Sequence, residues 1–326
     1  MKLSHLRNLI AVAERGSIRS AARHLGGAQP AITRSIHEIE RELGTAVFER
    51  KAKGVVLTAA GALFLRRAIT VQEELRRARE EISQISGKTT GTVAIGLSTA
   101  SHIALLPYAL QRFKDRYADV YLDISEGLLP AMDQGLRNGS LDFYVGPLTE
   151  SPVSKELSVE KLFDNVRLIF GRKGHPLLGA KSLKDLAGAR WIGTSVTVVS
   201  DAELGPLFAR ADLPPPRIDI QAHVALTMVM AAASSDLLTM LPQQWRHSPL
   251  TAALLDIFEV SEVFPAPPIC IVKRSRLPLT PAAEFLCDMM RRAAAHQMPK
   301  SASTSAKKAR RKVVGGAKRL SRRRPL

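Results

Sequence analysis

Residues 25–61 constrain this chain more than any other stretch. Ile32, Ile36, Ile39 and Leu43 recur at intervals of 4, 3 and 4, the spacing that gathers apolar side chains on one face of an α-helix. Pro30 falls in the first turn of that helix, where its missing N–H costs nothing, and Gly44 stops it. The opposite face carries Pro30, Thr33, Arg34, His37 and Arg41. Two further stripes precede it. Leu3, Leu6, Ile10 and Ala13 end at Gly16. Ile18, Ala21, Ala22 and Leu25 follow Ser17, a residue suited to capping a helix, and lead into Gly26-Gly27, where positive φ is cheap. Val47-Phe48-Glu49-Arg50 and Val55-Val56-Leu57 then read as two short strands around the tight basic tip Lys51-Ala52-Lys53-Gly54. Three short helices followed by a basic hairpin make a winged helix-turn-helix.

The chemistry of the third helix suits a duplex. Amide and guanidinium groups such as Gln29 and Arg34 make bidentate bonds to base edges in the major groove. Hydroxyls such as Thr33, and backbone N–H groups at a helix N-terminus, fix phosphates. Arg50, Lys51 and Lys53 stand where a wing tip reaches the DNA backbone or a minor groove. Taken alone, the third helix could equally be an amphipathic surface helix with a solvated face, and Arg50 could be held in a salt bridge within the domain. The hairpin favours DNA, and so does the charge. The net +17 is divided into +7 over residues 1–88, −1 over 89–296 and +11 over 297–326. Two basic ends around a near-neutral middle point to a polyanion partner.

The run from Leu25 to Gly61 resembles the LysR-type transcriptional regulators. Gln29-Pro30-Ala31, Glu40, Leu43-Gly44, Phe48, Arg50, Leu57-Thr58 and Ala60-Gly61 stand in that family's order and spacing. One departure is Ala28, where the family usually has a serine; its hydroxyl would cap the helix or touch a phosphate, and its loss removes no base-reading group. The resemblance implies that Gln29, Pro30, Thr33 and Arg34 contact bases or nearby phosphates, and that Arg50, Lys51 and Lys53 serve the wing. Double-stranded DNA is the partner expected, with RNA polymerase affected indirectly.

Thr58 is placed to cap a helix running to about Ser86, with apolar positions at Leu65, Ile69, Leu75, Ala78, Ile82 and Ile85. Nearly 30 residues of helix span ~40 Å. So long and charged a helix needs a partner for its stripe, either a second copy or the chain's own domain. The resemblance implies a second copy, hence a homodimer or a tetramer of the family's type. Gly87 and residues 88–91 are expected to form a hinge.

From Gly91 onward strand and helix alternate. Val93, Ile95 and Leu97 alternate as a strand, Ile103 to Tyr117 reads as one helix, and Val120 to Ser125 and Leu141 to Val145 as strands. A second set begins with the strand Val166 to Phe170. Such order implies a parallel sheet covered by helices. This half resembles the family's two-lobed α/β effector domain, periplasmic-binding-protein-like of type 2, through LRNGSLDFYVG (Leu136 to Gly146), GRKGHPLLG (Gly171 to Gly179) and LPLTPAAEF (Leu277 to Phe285). The expected fold is thus an all-α-rich winged helix-turn-helix plus that α/β domain. The expected divisions are 1–58 for the DNA-binding domain, 59–88 for the linker helix, 89–296 for the effector domain and 297–326 for a basic tail. Lobe I takes 89–163 and 267–296, and lobe II takes 164–266.

Open parallel sheets bind ligands beyond the carboxyl ends of their strands. Ser98, Thr99 and Ser101 open a helix there, and Thr194 and Ser195 follow a strand in lobe II in the same way. Hydroxyls and free N–H groups at such corners suit a small carboxylate or sulfonate, although Ser and Thr also simply cap helices. His102 and His223 fit packed or surface positions better than ligand contacts. Within the family this half looks most like regulators of aromatic sulfonate degradation, so an aromatic anion is the effector expected.

Other functions find little footing. The chain has no P-loop, no G-x-S-x-G, no HExxH and no metal-spaced Cys/His cluster. No enzyme activity, metal or cofactor is therefore expected. Two cysteines, Cys270 and Cys287, suit a reducing cytosol, and no run is apolar enough for a signal peptide or a membrane span. The expected location is the bacterial cytoplasm, on the nucleoid. A ligand-independent architectural DNA binder is the competing reading. Against it, such a protein has no use for a near-neutral two-lobed domain of about 200 residues, larger than a typical single domain. The tail, rich in Lys and Arg between Ser, Ala and Gly, cannot bury a core and is either a DNA tether or an inert extension.

Overall fold

The computed structural model describes residues 1–52, 54–148, 153–194, 204–222 and 224–297. Helices α1 (Leu3–Arg15), α2 (Ile18–His24) and α3 (Gln29–Leu43) close around Leu9, Val12, Ala21, Ile36 and Ile39. Gly16 ends α1 at φ +68°, and the Ser17 hydroxyl accepts the Ser20 N–H to start α2. A buried bond from Asn8 Nδ2 to Ser35 Oγ, 2.8 Å, fixes α1 against α3. The ends of two stripes escape the core: Leu3 and Leu43 are exposed. Strands β1 (Phe48–Lys51) and β2 (Gly54–Leu57) pair antiparallel, Lys51 opposite Gly54, to form the wing.

Helix α4 (Ala59–Ile85) begins where Thr58 Oγ1 accepts the Gly61 N–H at 2.9 Å and donates to Ala46 O at 2.8 Å. Its first half supplies Phe64, Leu65, Ala68 and Ile69 to the core of the winged domain.

Beyond it lie β3 (Gly91–Leu97), α5 (Thr99–Ala104), α6 (Leu106–Arg116), β4 (Val120–Glu126), α7 (Leu129–Asn138), β5 (Phe143–Pro147) and β6 (Leu157–Arg172). The second lobe adds β7 (Arg190–Thr194), α8 (Leu204–Arg210), β8 (Arg217–Ala222), α9 (Ala225–Ala233), β9 (Leu237–Pro242), α10 (Pro249–Ala252) and β10 (Leu255–Phe258). The chain returns through β11 (Phe264–Arg274) to α11 (Pro281–Gln297). Where one helix was expected from Ile103 to Tyr117, two occur. The break falls at Leu105, two residues before Pro107, a proline that can open a helix but not continue one.

The strands are ordered β4-β3-β5-β11-β6-β9-β7-β8, with β10 on β6. Each lobe has the parallel trio expected of it, β4-β3-β5 and β8-β7-β9. The strands between them depart from an all-parallel sheet: β11 runs antiparallel to β5 and β6, and β6 antiparallel to β9. The chain must cross between lobes and come back, and two opposed strands do both. Their ladder is irregular between Ala266 and Ile269, where Pro267 and Pro268 have no N–H to give. Phe113, Phe143, Val145, Ile271 and Leu286 form the centre of lobe I. Lobe II is filled by one cluster around Trp191, Phe208 and Leu238 and another around Phe170, Val229 and Trp245.

Candidate functional site

Two places in this fold hold the residues singled out in the sequence. The first is the outer face of α3. Ile32, Ile36 and Ile39 are 4%, 4% and 0% exposed and anchor it from behind. On the front, Gln29, Pro30, Thr33 and Arg34 line one shallow, open concavity together with His37. The Thr33 hydroxyl donates to Gln29 O at 3.1 Å. Arg34 is exposed and makes no ion pair among the described residues, so its guanidinium is available. Ala28, at the N-cap, offers no side-chain bond. The His37 ring lies 3.4 Å from Glu40, whose other oxygen accepts the Val47 N–H at 3.0 Å and ties the helix to the wing. His37 was visible in the sequence as part of the polar face; only its place in the same hollow is new.

On the wing, Arg50 is exposed and forms no ion pair among the described residues, so the alternative of an internal salt bridge is not realised. Lys51 Nζ lies 3.0 Å from Glu49, its neighbour on the same strand. Lys53 lies outside the described residues.

The second place is a cavity of about 280 Å³ between the lobes. Ser98 and Thr99 form part of its lobe I wall and Met228 and Trp245 part of its lobe II wall, while Asn165 and Arg167 of β6 and Ala266 and Pro267 of β11, neighbouring strands of the sheet, line it as well. Ser98 caps α5, but its hydroxyl is turned to Ser101, Oγ to Oγ 3.0 Å. Ser101 is fully buried and does not reach the cavity wall, so its side chain supports Ser98 instead of facing a ligand. The Thr99 hydroxyl donates to Glu126 Oε1 at 3.0 Å, and Glu126 itself lines the cavity. An acid therefore stands at the corner expected to offer only hydroxyls and N–H groups. Thr194 ends β7, but its side chain, like all of Ser195 and His223, lies outside the described residues. His102 turns its Nδ1 to Ser98 O at 3.1 Å.

The cation in the cavity went unnoticed in the sequence. Arg167 interrupts the apolar run Val166 to Phe170, and burial pushes its guanidinium down to about 10, still protonated near neutrality. A single charge inside a strand otherwise fit for a core was the available signal. Asn165 and Trp245 are 6% and 4% exposed, and among the described residues Asn165 Oδ1 and Trp245 Nε1 have no hydrogen-bond partner.

A winged helix-turn-helix joined by a long helix to a two-lobed domain with an interlobe cavity defines a ligand-responsive DNA-binding regulator. Residues 3–62 match the bacterial regulatory helix-turn-helix proteins of the lysR family, and residues 86–295 match the LysR substrate binding domain. The chain belongs to the LysR family of transcription regulators, with a DNA-binding and an effector-binding domain. It is 26% identical over 288 residues to the HTH-type transcriptional regulator TdcA of Escherichia coli K12, covering 88% of this chain and 92% of that protein. It is 29% identical over 290 residues to the SDS degradation transcriptional activation protein of Pseudomonas sp. strain ATCC 19151, covering 87% and 94%. Its fold is shared with CbnR, a LysR family regulator (20% identity, TM-score 0.65, 90% of this chain and 99% of that one). It is shared equally with a full-length OxyR point variant from Pseudomonas aeruginosa (22%, TM-score 0.66, 89% and 95%). Among the described residues no helix is long and apolar enough to cross a membrane, and no group of three or more His, Cys, Asp or Glu is placed to hold a metal.

Proposed function

We propose that α3 reads a pseudo-palindromic promoter site in the major groove, with Gln29, Thr33 and Arg34 toward base edges and Pro30 against the backbone. Arg50, Lys51 and Lys53 follow the duplex from the wing. The observation that carries this reading is the single exposed face that gathers Gln29, Pro30, Thr33 and Arg34 over a core of isoleucines. The chain acts as a dimer or tetramer in the bacterial cytoplasm, carries no enzymatic activity and alters access of RNA polymerase through DNA bending. The domain limits that serve this reading are residues 1–58, 59–88 and 89–296, followed by the basic tail.

The effector is a small organic anion held in the interlobe cavity. Arg167 in a largely apolar wall supports an acid with an apolar body, and Ser98 and Thr99 supply the rim; Thr194 and Ser195 complete it from lobe II. Ser101 contributes through Ser98. The cavity favours a sensor over an architectural DNA binder, which has no use for one.

The test is binding of the DNA upstream of the protein's own gene. Each bidentate base contact is worth about 1–3 kcal/mol, so Arg34→Ala and Gln29→Ala should each weaken specific binding roughly 5- to 150-fold. Undiminished sequence preference in the double variant would sink the reading. The tail tethers the protein to DNA without sequence preference. Removing residues 297–326 should flatten the dependence of log affinity on log salt, and an unchanged slope would make it an inert extension.

A further inference from the structure

The second half of α4 meets lobe I through charge. Neither apolar cluster of lobe I includes an α4 residue, and Ile82 and Ile85 remain 67% and 73% exposed. Instead, polar side chains of the helix take up backbone groups of the lobe. Glu80 Oε1 accepts the Thr92 N–H at 3.1 Å. Gln84 donates to Thr90 O at 3.2 Å and accepts the Ala282 N–H, at the start of α11, at 3.0 Å.

At the centre lie four buried or half-buried ions. Arg77 Nη2 stands 2.9 Å from Asp142 Oδ1 and donates to Gly139 O and Leu141 O. Glu74 lies 3.2 Å from Arg77 and 2.6 Å from Arg274. Arg77 and Asp142 are 4% and 2% exposed. Burial pushes the Asp142 carboxyl up to about 7, against the pull of the Ala94 N–H and of the nearby Arg76 guanidinium toward the charged form, while Glu80 and Glu73 push it further up.

Such an interface fixes geometry firmly yet parts at modest cost. The attraction between buried ions is largely offset by the water they gave up. Drawing the helix away returns both ions, and the carbonyls of Gly139 and Leu141, to water. An apolar interface would gain nothing of the kind. The connection is built to allow it, with Gly87 at φ +86° and Gly91 at φ +137° flanking residues 88–90. Asp142 also links the interface to the cavity. Its Oδ2 accepts the Ala94 N–H of β3 at 2.9 Å, and it directly precedes β5. These two strands lead to Ser98 and Pro147 on the cavity wall.

We propose that Arg77 and Asp142 form a latch between the linker helix and lobe I, closed in this structure and opening about Gly87 and Gly91, through which the effector lobes and the DNA-reading end are coupled. The latch itself is independent of which ligand fills the cavity. The two residues act as positioning residues.

The test uses the full-length chain with spin labels at Arg79→Cys and Gln111→Cys, both exposed positions, diluted in unlabelled protein so that distances within one subunit are read. The parent should show one narrow distance population. Arg77→Met/Asp142→Asn, which removes both ions while leaving an oxygen for the Ala94 N–H, should add a longer, broader population. Arg77→Lys should return most of the signal to the parent distance. Amide exchange separates opening from unfolding: it should quicken over residues 73–85 and stay slow over β3. An unaltered distance distribution in a folded variant, or equal quickening in β3, overturns the latch. Should the double variant fail to fold, Asp142→Asn alone decides on the same two readouts: it removes one charge of the pair yet keeps an oxygen for the Ala94 N–H, so the longer population appears if the pair is the latch, and an unaltered distribution overturns it.

Discussion

Where a Cβ on Gly61 would lie, the carbonyl oxygen of Val47 is already 2.0 Å away. The N-terminus of α4 can approach the wing so closely only because that residue has no side chain. Alanine would gain about 1 kcal/mol of helix propensity, but it must push β1 and α4 apart, and overpacking of this kind costs about 1–3 kcal/mol or more. Gly61→Ala should therefore lower the urea midpoint of the winged domain; a raised midpoint would show that the contact yields freely. In the sequence Gly61 and Glu40 were only members of a family pattern. Their reasons appear in three dimensions, as a close approach and as a carboxylate that receives the Val47 N–H. The isoleucines behind α3 were legible outright, because a 4-3-4 spacing leaves one face for them. Arg167 was overlooked because a strand pattern says which residues are buried and nothing of which buried charge faces a cavity.

The longest helix was the most readable element. Thr58 at its start and Gly87 just past its end bound it within a residue or so, since capping chemistry is local. Strand direction was not readable. β6 and β11 have the same local composition whichever way their neighbours run, and only the passage of the chain between lobes fixes them antiparallel. The hinge expected at residues 87–91 has the glycines it requires, but the helix before it lies fastened along lobe I by side chains whose partners are dozens of residues away. Ile82 and Ile85, left in water by that arrangement, suit a second copy of the helix. Ile82→Glu should raise the dissociation constant of the dimer, seen as a lower weight-average mass in sedimentation at micromolar concentration. An unchanged mass would place the subunit contact elsewhere.

At the scale of the whole molecule, charge and cavity divide the work. The basic ends surround a neutral sensor, a partition visible from counting alone, whereas the cavity is made by residues from β6, β9, β11, α5 and α9 that no local pattern brings together. A ligand bound only by the native state raises its melting temperature, by about 2.7 kcal/mol of stability at a hundredfold excess over the dissociation constant. Benzoate, benzenesulfonate and their aliphatic counterparts should include at least one that raises the melting temperature of the parent, and Arg167→Met should abolish the rise. If none does so in the parent, the effector is not a small anion of this kind.

The chain has two tryptophans, and the fold treats them differently. Trp191 is sealed in lobe II, while Trp245 borders the cavity. The molecule thus carries its own optical reporter: emission from one ring should follow filling and closure of the cleft while the other stays constant as an internal standard, so an effector can be sought in unlabelled protein.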